Sequence, residues 1–304
     1  MNRENDPRVV LALGVTVLLW ASSFIVIRYA GSDFGPGSMA LLRMVVGAPA
    51  LGAIAARRGV VLPPRRAWPL VAAWGVAWFC GYNVALNAAE RMIDAGTAAI
   101  AVNLAPLLVV LAAGVILKEG FPPQLVVGAP VAFAGVALIS TQSFTGRVSL
   151  AGLALALAAA GLYAGSALAQ KHLLRVVDAT TLTWLGATAG TVALLPWTGQ
   201  LLSDLGAARW TSTLSVVYLG VFPTAIAFTT WAYALMRTPA GRTAASTYVV
   251  PTLTVALSWA LLGEVPGPVV LLGGAVCLAG VFVTRLPSTG PHGPGDDRVR
   301  GAEG

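Results

Sequence analysis

A few side chains scattered through apolar sequence have the types and spacing to hold a small molecule. Trp20 and Ser23 lie three residues apart, as do Tyr163 and Ser166, so each pair shares one helix face. Membrane Trp and Tyr normally sit at the interfaces, whereas these two fall near mid-span. Asn83 and Asn87 make an i, i+4 stripe of amides, which are costly in lipid and must point into protein. Counted on by 146 positions they correspond to Thr229 and Tyr233. Stacking plus neutral hydrogen bonding is the chemistry on offer, and it binds a ligand without transforming it. The competing reading is structural, with aromatics filling core and amides joining helices.

Pro106 and Pro251 add a second element. Each stands at the centre of an apolar segment, where proline frees the carbonyl four residues back, here of Val102 and Thr247. In lipid that carbonyl needs a partner, and facing a wet cavity supplies one. The two prolines are therefore expected as hinges, with Asn103, Ser246, Thr247 and Tyr248 on the turn before them as ligand contacts. Arg43, two turns inside its segment, is expected near the outer boundary, snorkelling or holding Asp33 or Asp94.

Several chemistries find no support. All twelve Asp and Glu map to loops, segment ends or tails, so no midplane proton relay is visible. His172 and His292 lie in a loop and a tail, which leaves no metal cluster and no histidine-based catalytic pair. Lys118 and Lys171 are peripheral, and Glu119 and Glu264 read as complements to the starts of Pro-led helices. The expected lining is aromatic and neutral-polar, with no cofactor and no metal.

The elements that must position these residues follow from composition. Of 304 residues, 57% are hydrophobic and 10% charged, too few polar groups to coat a soluble globule. Residues 95–136 recur as 240–281, with 14 of 42 positions identical without a gap. Matching pairs include Gly96/Gly241, Pro106/Pro251, Glu119/Glu264, Gly128/Gly273 and Gly135/Gly280. Such self-similarity marks a duplicated unit. Ten apolar spans are predicted near 9–30, 36–56, 68–88, 95–117, 122–141, 149–170, 178–201, 212–235, 240–263 and 267–285. The first imitates a signal peptide but runs on to Ala30, and is read as a retained helix. Cys80 and Cys277 both fall in apolar segments, which implies no disulfide.

Copies five spans apart enter the membrane from opposite sides, giving two inverted five-helix repeats in an all-α membrane protein. Residues 1–146 form the first repeat, 147–286 the second, and 287–304 a charged, Gly/Pro-rich tail expected to be disordered. Loops on one side carry fourteen Lys and Arg against three on the other, which predicts both termini in the cytoplasm. The net charge of +7 follows this loop bias and forms no basic stripe, so no nucleic-acid partner is expected.

The motif Trp20-Ala-Ser-Ser-Phe24, Arg43 early in the second span, and the repeated A-G…P…E…G…G-V block together resemble the EamA family of the drug/metabolite transporter superfamily. Lys118 departs from the family pattern, which places a small residue there, and the seventh span offers Arg43 no partner. The resemblance implies ten helices, cytoplasmic termini and a central cavity between the halves. It also implies export of amino acids or other small metabolites across the cell membrane, and the neutral lining is read as serving a neutral or zwitterionic molecule by alternating access. The alternatives are a membrane-embedded lipid-processing enzyme, which would need converging titratable groups, and a passive channel.

Overall fold

A computed structural model describes residues 6–105, 107–108, 123–141, 148–235, 237, 247 and 249–283. Among them lie ten helices and no strand. They are α1 (Pro7–Ala30), α2 (Pro36–Arg58), α3 (Arg65–Glu90), α4 (from Ala95–Val102 onward), α5 (Pro123–Ser140), α6 (Leu150–Leu173), α7 (Ala179–Leu194, then Thr198–Ala207), α8 (Trp210–Ala234), α9 (Val249–Leu262) and α10 (Pro268–Val283). Five of these, α1, α2, α3, α6 and α8, are long and apolar enough to cross a membrane, and stretches of α5, α9 and α10 are shorter apolar helices. The tail from 287 onward and Glu119 lie outside the described residues.

Acidic residues mark helix starts. Asp6, Asp94 and Asp178 each accept a hydrogen bond from a first-turn N–H, and Pro7 and Pro36 occupy first-turn positions where no N–H is needed. α1 packs against α8 and α9.

The repeated glycines have a specific use. A Cβ on Gly135 would collide with the backbone of Gly273 and Cys277, and one on Gly280 with that of Gly128 and Ala132. These contacts are reciprocal, because Gly280, Gly128 and Ala132 are the repeat counterparts of Gly135, Gly273 and Cys277. Only bare backbone lets α5 and α10 approach this closely, the usual route to tight helix association in lipid. The two-fold axis of the duplication therefore runs through this seam.

At the face where α1 ends, polar contacts tie the first repeat to the second. Arg28 Nε lies 3.0 Å from Glu264 Oε1. Arg209 Nε lies 2.8 Å from Asp33 Oδ2, with its guanidinium over the Tyr29 ring. Asp204 Oδ2 accepts from the Gly35 N–H at 2.9 Å. Glu264 thus pairs with a cation of the opposite repeat, where the sequence reading gave it to a helix start. Asp33 belongs to Arg209 and Asp94 to the cap of α4, so neither holds Arg43.

Candidate functional site

Two helices depart from α geometry at the centre of the bundle. Val76–Tyr82 of α3 and Gly220–Ile226 of α8 are π-helical, each wider than the α-helix by one residue per hydrogen-bonded turn. They occupy equivalent places in the two repeats, 144 positions apart at both ends. A π turn misaligns carbonyls, and side chains collect them. Asn83 Nδ2 donates to the carbonyls of Trp78 (3.2 Å) and Phe79 (3.0 Å), and Thr224 Oγ1 to that of Leu219 (2.8 Å). Pro223 inside the second π segment also forbids a regular ladder.

Between these segments lies a cavity. Its aromatic wall is continuous: Trp20 packs edge-on to Phe228 at 5.8 Å, Phe228 meets Trp78 at 6.0 Å, and Trp78 meets Tyr163 at 5.1 Å. Tyr82 closes the wall 6.3 Å beyond Tyr163. Polar groups reach the same space from Ser23, Asn83, Asn103, Thr224 and Thr247.

The cavity also contains Arg43, which the sequence reading placed near the outer boundary. Its Nε donates to Thr224 Oγ1 at 2.9 Å and its Nη1 to Asn83 Oδ1 at 2.8 Å. An expected neutral lining therefore carries one cation. The partners sit on α3 and α8 at the π segments, far from Arg43 in sequence, and residue spacing alone gives no sign of them.

Six predicted contacts converge here: Trp20, Ser23, Asn83, Asn103, Tyr163 and Thr247. Others do not. Asn87 is buried beside the cavity and donates to the Pro36 carbonyl at 3.0 Å, a helix-to-helix tie. Ser166 is buried, and its carbonyl accepts from Trp74 Nε1 at 3.0 Å. Thr229 and Tyr233 border a separate pocket at the face where α1 begins, together with Arg8, Arg58 and Thr230. The Tyr233 ring lies 3.7 Å beneath the Arg237 guanidinium. The 146-residue shift that chose Thr229 and Tyr233 misses the π alignment by two residues, or about 200° around a helix, and so selects the opposite face.

Of the hinge prolines, Pro251 is buried near the start of α9. Pro106, Ser246 and Tyr248 lie outside the described residues. α4 breaks at Asn103 and Leu104, the turn before Pro106, where Leu104 N–H bonds back three residues to Ala101. The interruption begins one residue past Val102, the last residue of that helical stretch.

Sequence reasoning also passed over Glu90. It ends α3, within electrostatic reach of Arg28 and Arg43, and is only 1% exposed. Neither carboxylate oxygen has a partner among the described residues, although Arg28 Nη1 donates to the Glu90 carbonyl at 2.8 Å. Asn83, Asn87 and Glu90 form one buried polar face at helical spacing, i, i+4 and i+7.

A duplicated helical bundle that encloses an aromatic, hydrogen-bonding cavity, with no metal-holding cluster among the described residues, has the build of a membrane transporter. The comparisons agree: residues 8–141 and 150–286 match the EamA-like transporter family, one match per repeat, and the chain belongs to that family. A probable terminal-alkyne amino-acid exporter from Streptantibioticus cattleyicolor is 35% identical over 283 residues, 93% of this chain and 95% of its own. The aromatic amino acid exporter YddG of Ancylobacter novellus is 26% identical, with 89% of this chain and 94% of that protein covered. A probable amino-acid metabolite efflux pump of Salmonella typhimurium is 22% identical, at 88% and 92% coverage. One crystal structure, 23% identical, aligns at a TM-score of 0.63 over 92% of this chain and 98% of its own, which shows the shared fold.

Proposed function

We propose that this transporter exports amino acids or close derivatives across the cell membrane by alternating access, and that the central cavity is its substrate site. The observation that carries the reading is the cavity itself, a pocket of aromatic walls and a few placed polar groups between two repeats, the usual make-up of a small-molecule site. The names of the three relatives support the substrate class.

In this reading both termini are cytoplasmic, following the fourteen-to-three bias of Lys and Arg. The face where α1 ends is then external. The inter-repeat contacts there form the closed outer gate of an inward-open or occluded state. The repeats divide at 1–146 and 147–286. The protein acts on its substrate by binding and release, with no bond broken, no cofactor and no nucleic-acid partner.

The testing experiment is flux. Purified full-length protein in proteoliposomes is challenged with a panel of radiolabelled amino acids and metabolites, with counterflow measured for each. Saturable counterflow of at least one amino acid is expected. Flux that never saturates and shows no counterflow indicates a channel, and counterflow confined to other metabolites overturns the substrate class.

A further inference from the structure

The cavity holds a cation whose hydrogen-bond partners are both neutral. Arg43 is 7% exposed, and both acceptors it reaches, Thr224 Oγ1 and Asn83 Oδ1, are neutral. They are held from behind, since Thr224 donates to Leu219 O and Asn83 to the carbonyls of Trp78 and Phe79. The plane of the guanidinium is thereby fixed. Neither ion pair among the described residues includes Arg43, and its Nη2 has no hydrogen-bond partner among them. A guanidinium stays protonated in proteins and offers paired N–H groups matched to a carboxylate. The buried carboxylate that acts on Arg43 is Glu90, two turns beyond Asn83, but it makes no hydrogen bond to the guanidinium, so Nη2 is left as a charged donor suited to an anion.

The surroundings narrow the anion. One cation in a cavity that Trp20, Trp78 and Tyr163 also line suits a single carboxylate on an apolar or aromatic body, whereas a phosphate dianion calls for more positive charge. An ammonium group is less well served. No Asp or Glu borders the cavity among the described residues, so an ammonium meets only neutral oxygens. One of these is the Asn103 side-chain oxygen, whose amide nitrogen is already committed to the Ala99 carbonyl.

We infer that Arg43 anchors the substrate carboxylate, and that the site selects apolar or aromatic monocarboxylates for which an α-ammonium is optional. This rests on the reading that the cavity is the transport site.

Binding calorimetry on full-length protein in lipid nanodiscs tests it with three probes: L-phenylalanine, 3-phenylpropionate and L-phenylalaninamide. The first two are expected to bind within about fivefold of each other, and the amide roughly tenfold or more weaker, the worth of a lost charge-assisted hydrogen bond. The comparison uses unmodified protein, so it stands whether or not a variant folds. In Arg43→Lys the carboxylate preference should persist at reduced affinity, and in Arg43→Gln it should vanish. An amide that binds as tightly as phenylalanine overturns the anchor while leaving the cavity as the site. Phenylpropionate binding more than tenfold weaker than phenylalanine overturns the claim that the ammonium is optional. Failure of all three probes to bind overturns both this inference and the proposed site.

Discussion

Arg28 and Glu264 belong to different repeats and meet at 3.0 Å, with both side chains about 30% exposed. A pair so placed adds little to global stability, but separating the repeats at that face must break it. Glu264→Gln should therefore favour the conformation open at that face. A cysteine at the buried, cavity-lining position 23, labelled by an impermeant reagent in whole cells, should react faster in the variant. Equal labelling rates would assign the pair no part in closure.

Topology is tested with the same reagent. With both termini cytoplasmic, a cysteine at position 91 is reached from outside and one at position 65 is not. The reverse pattern would invert the assignment of the two faces.

The aromatic wall predicts a graded effect on binding. Trp20→Ala removes a large contact surface and should weaken ligand affinity by about 1–3 kcal/mol, the range for burying a large apolar side chain. Leu271→Ala, on the exposed side of α10, should leave affinity unchanged. Trp20→Ala with unaltered counterflow kinetics would move the site elsewhere.

Asn83 has a structural task as well as a place in the cavity. Asn83→Leu would leave Arg43 Nη1 without its acceptor and strip two π-turn carbonyls of their donor. Unsatisfied buried polar groups cost about 1–3 kcal/mol each, so the midpoint of thermal unfolding in detergent should fall clearly. Asn87→Leu gives up one tie to Pro36 and should lower it less.

Acid sensitivity has a local source at the far end of α1. The hydrogen bond from the Arg209 side chain pulls the Asp33 carboxyl from 3.8 down to about 2. A depressed folded-state value means stability that is present above pH 3.8 and is lost as pH falls through about 2. Asp33→Asn should remove that component of the acid-unfolding curve between those values. An unchanged curve would mean the contact is equally made in the unfolded chain.

Legibility in the sequence divided along a physical line. The helices were plain because span length and apolar composition are local properties, and the duplication exposed Gly135 and Gly280 as a matched pair. The π segments carry no such mark, since they arise where packing makes a wider turn preferable. Their invisibility accounts for two differences between expectation and structure. Thr229 and Tyr233 were chosen by a register two residues out, and Arg43 was given nearby loop acids because its acceptors come from helices 40 and 181 residues away. Glu90 escaped notice because a carboxylate at a helix end is ordinarily wet, and only the packed structure shows it dry.

The glycine seam has a further consequence. A surface on which each residue meets the counterpart of its own partner is the surface of a homodimer, and a lone five-helix unit could present it to a second copy lying upside down. In a dimer of identical chains, every substitution in one half appears in the other. Joined in one chain, the halves are released from that identity. Seven residues into α2 stands Arg43, and seven residues into α7 stands Gly186, whose missing side chain leaves room for Trp74. Covalent linkage thus lets a symmetric scaffold hold a one-sided charge, and a molecule with one charged end can be held in a single orientation.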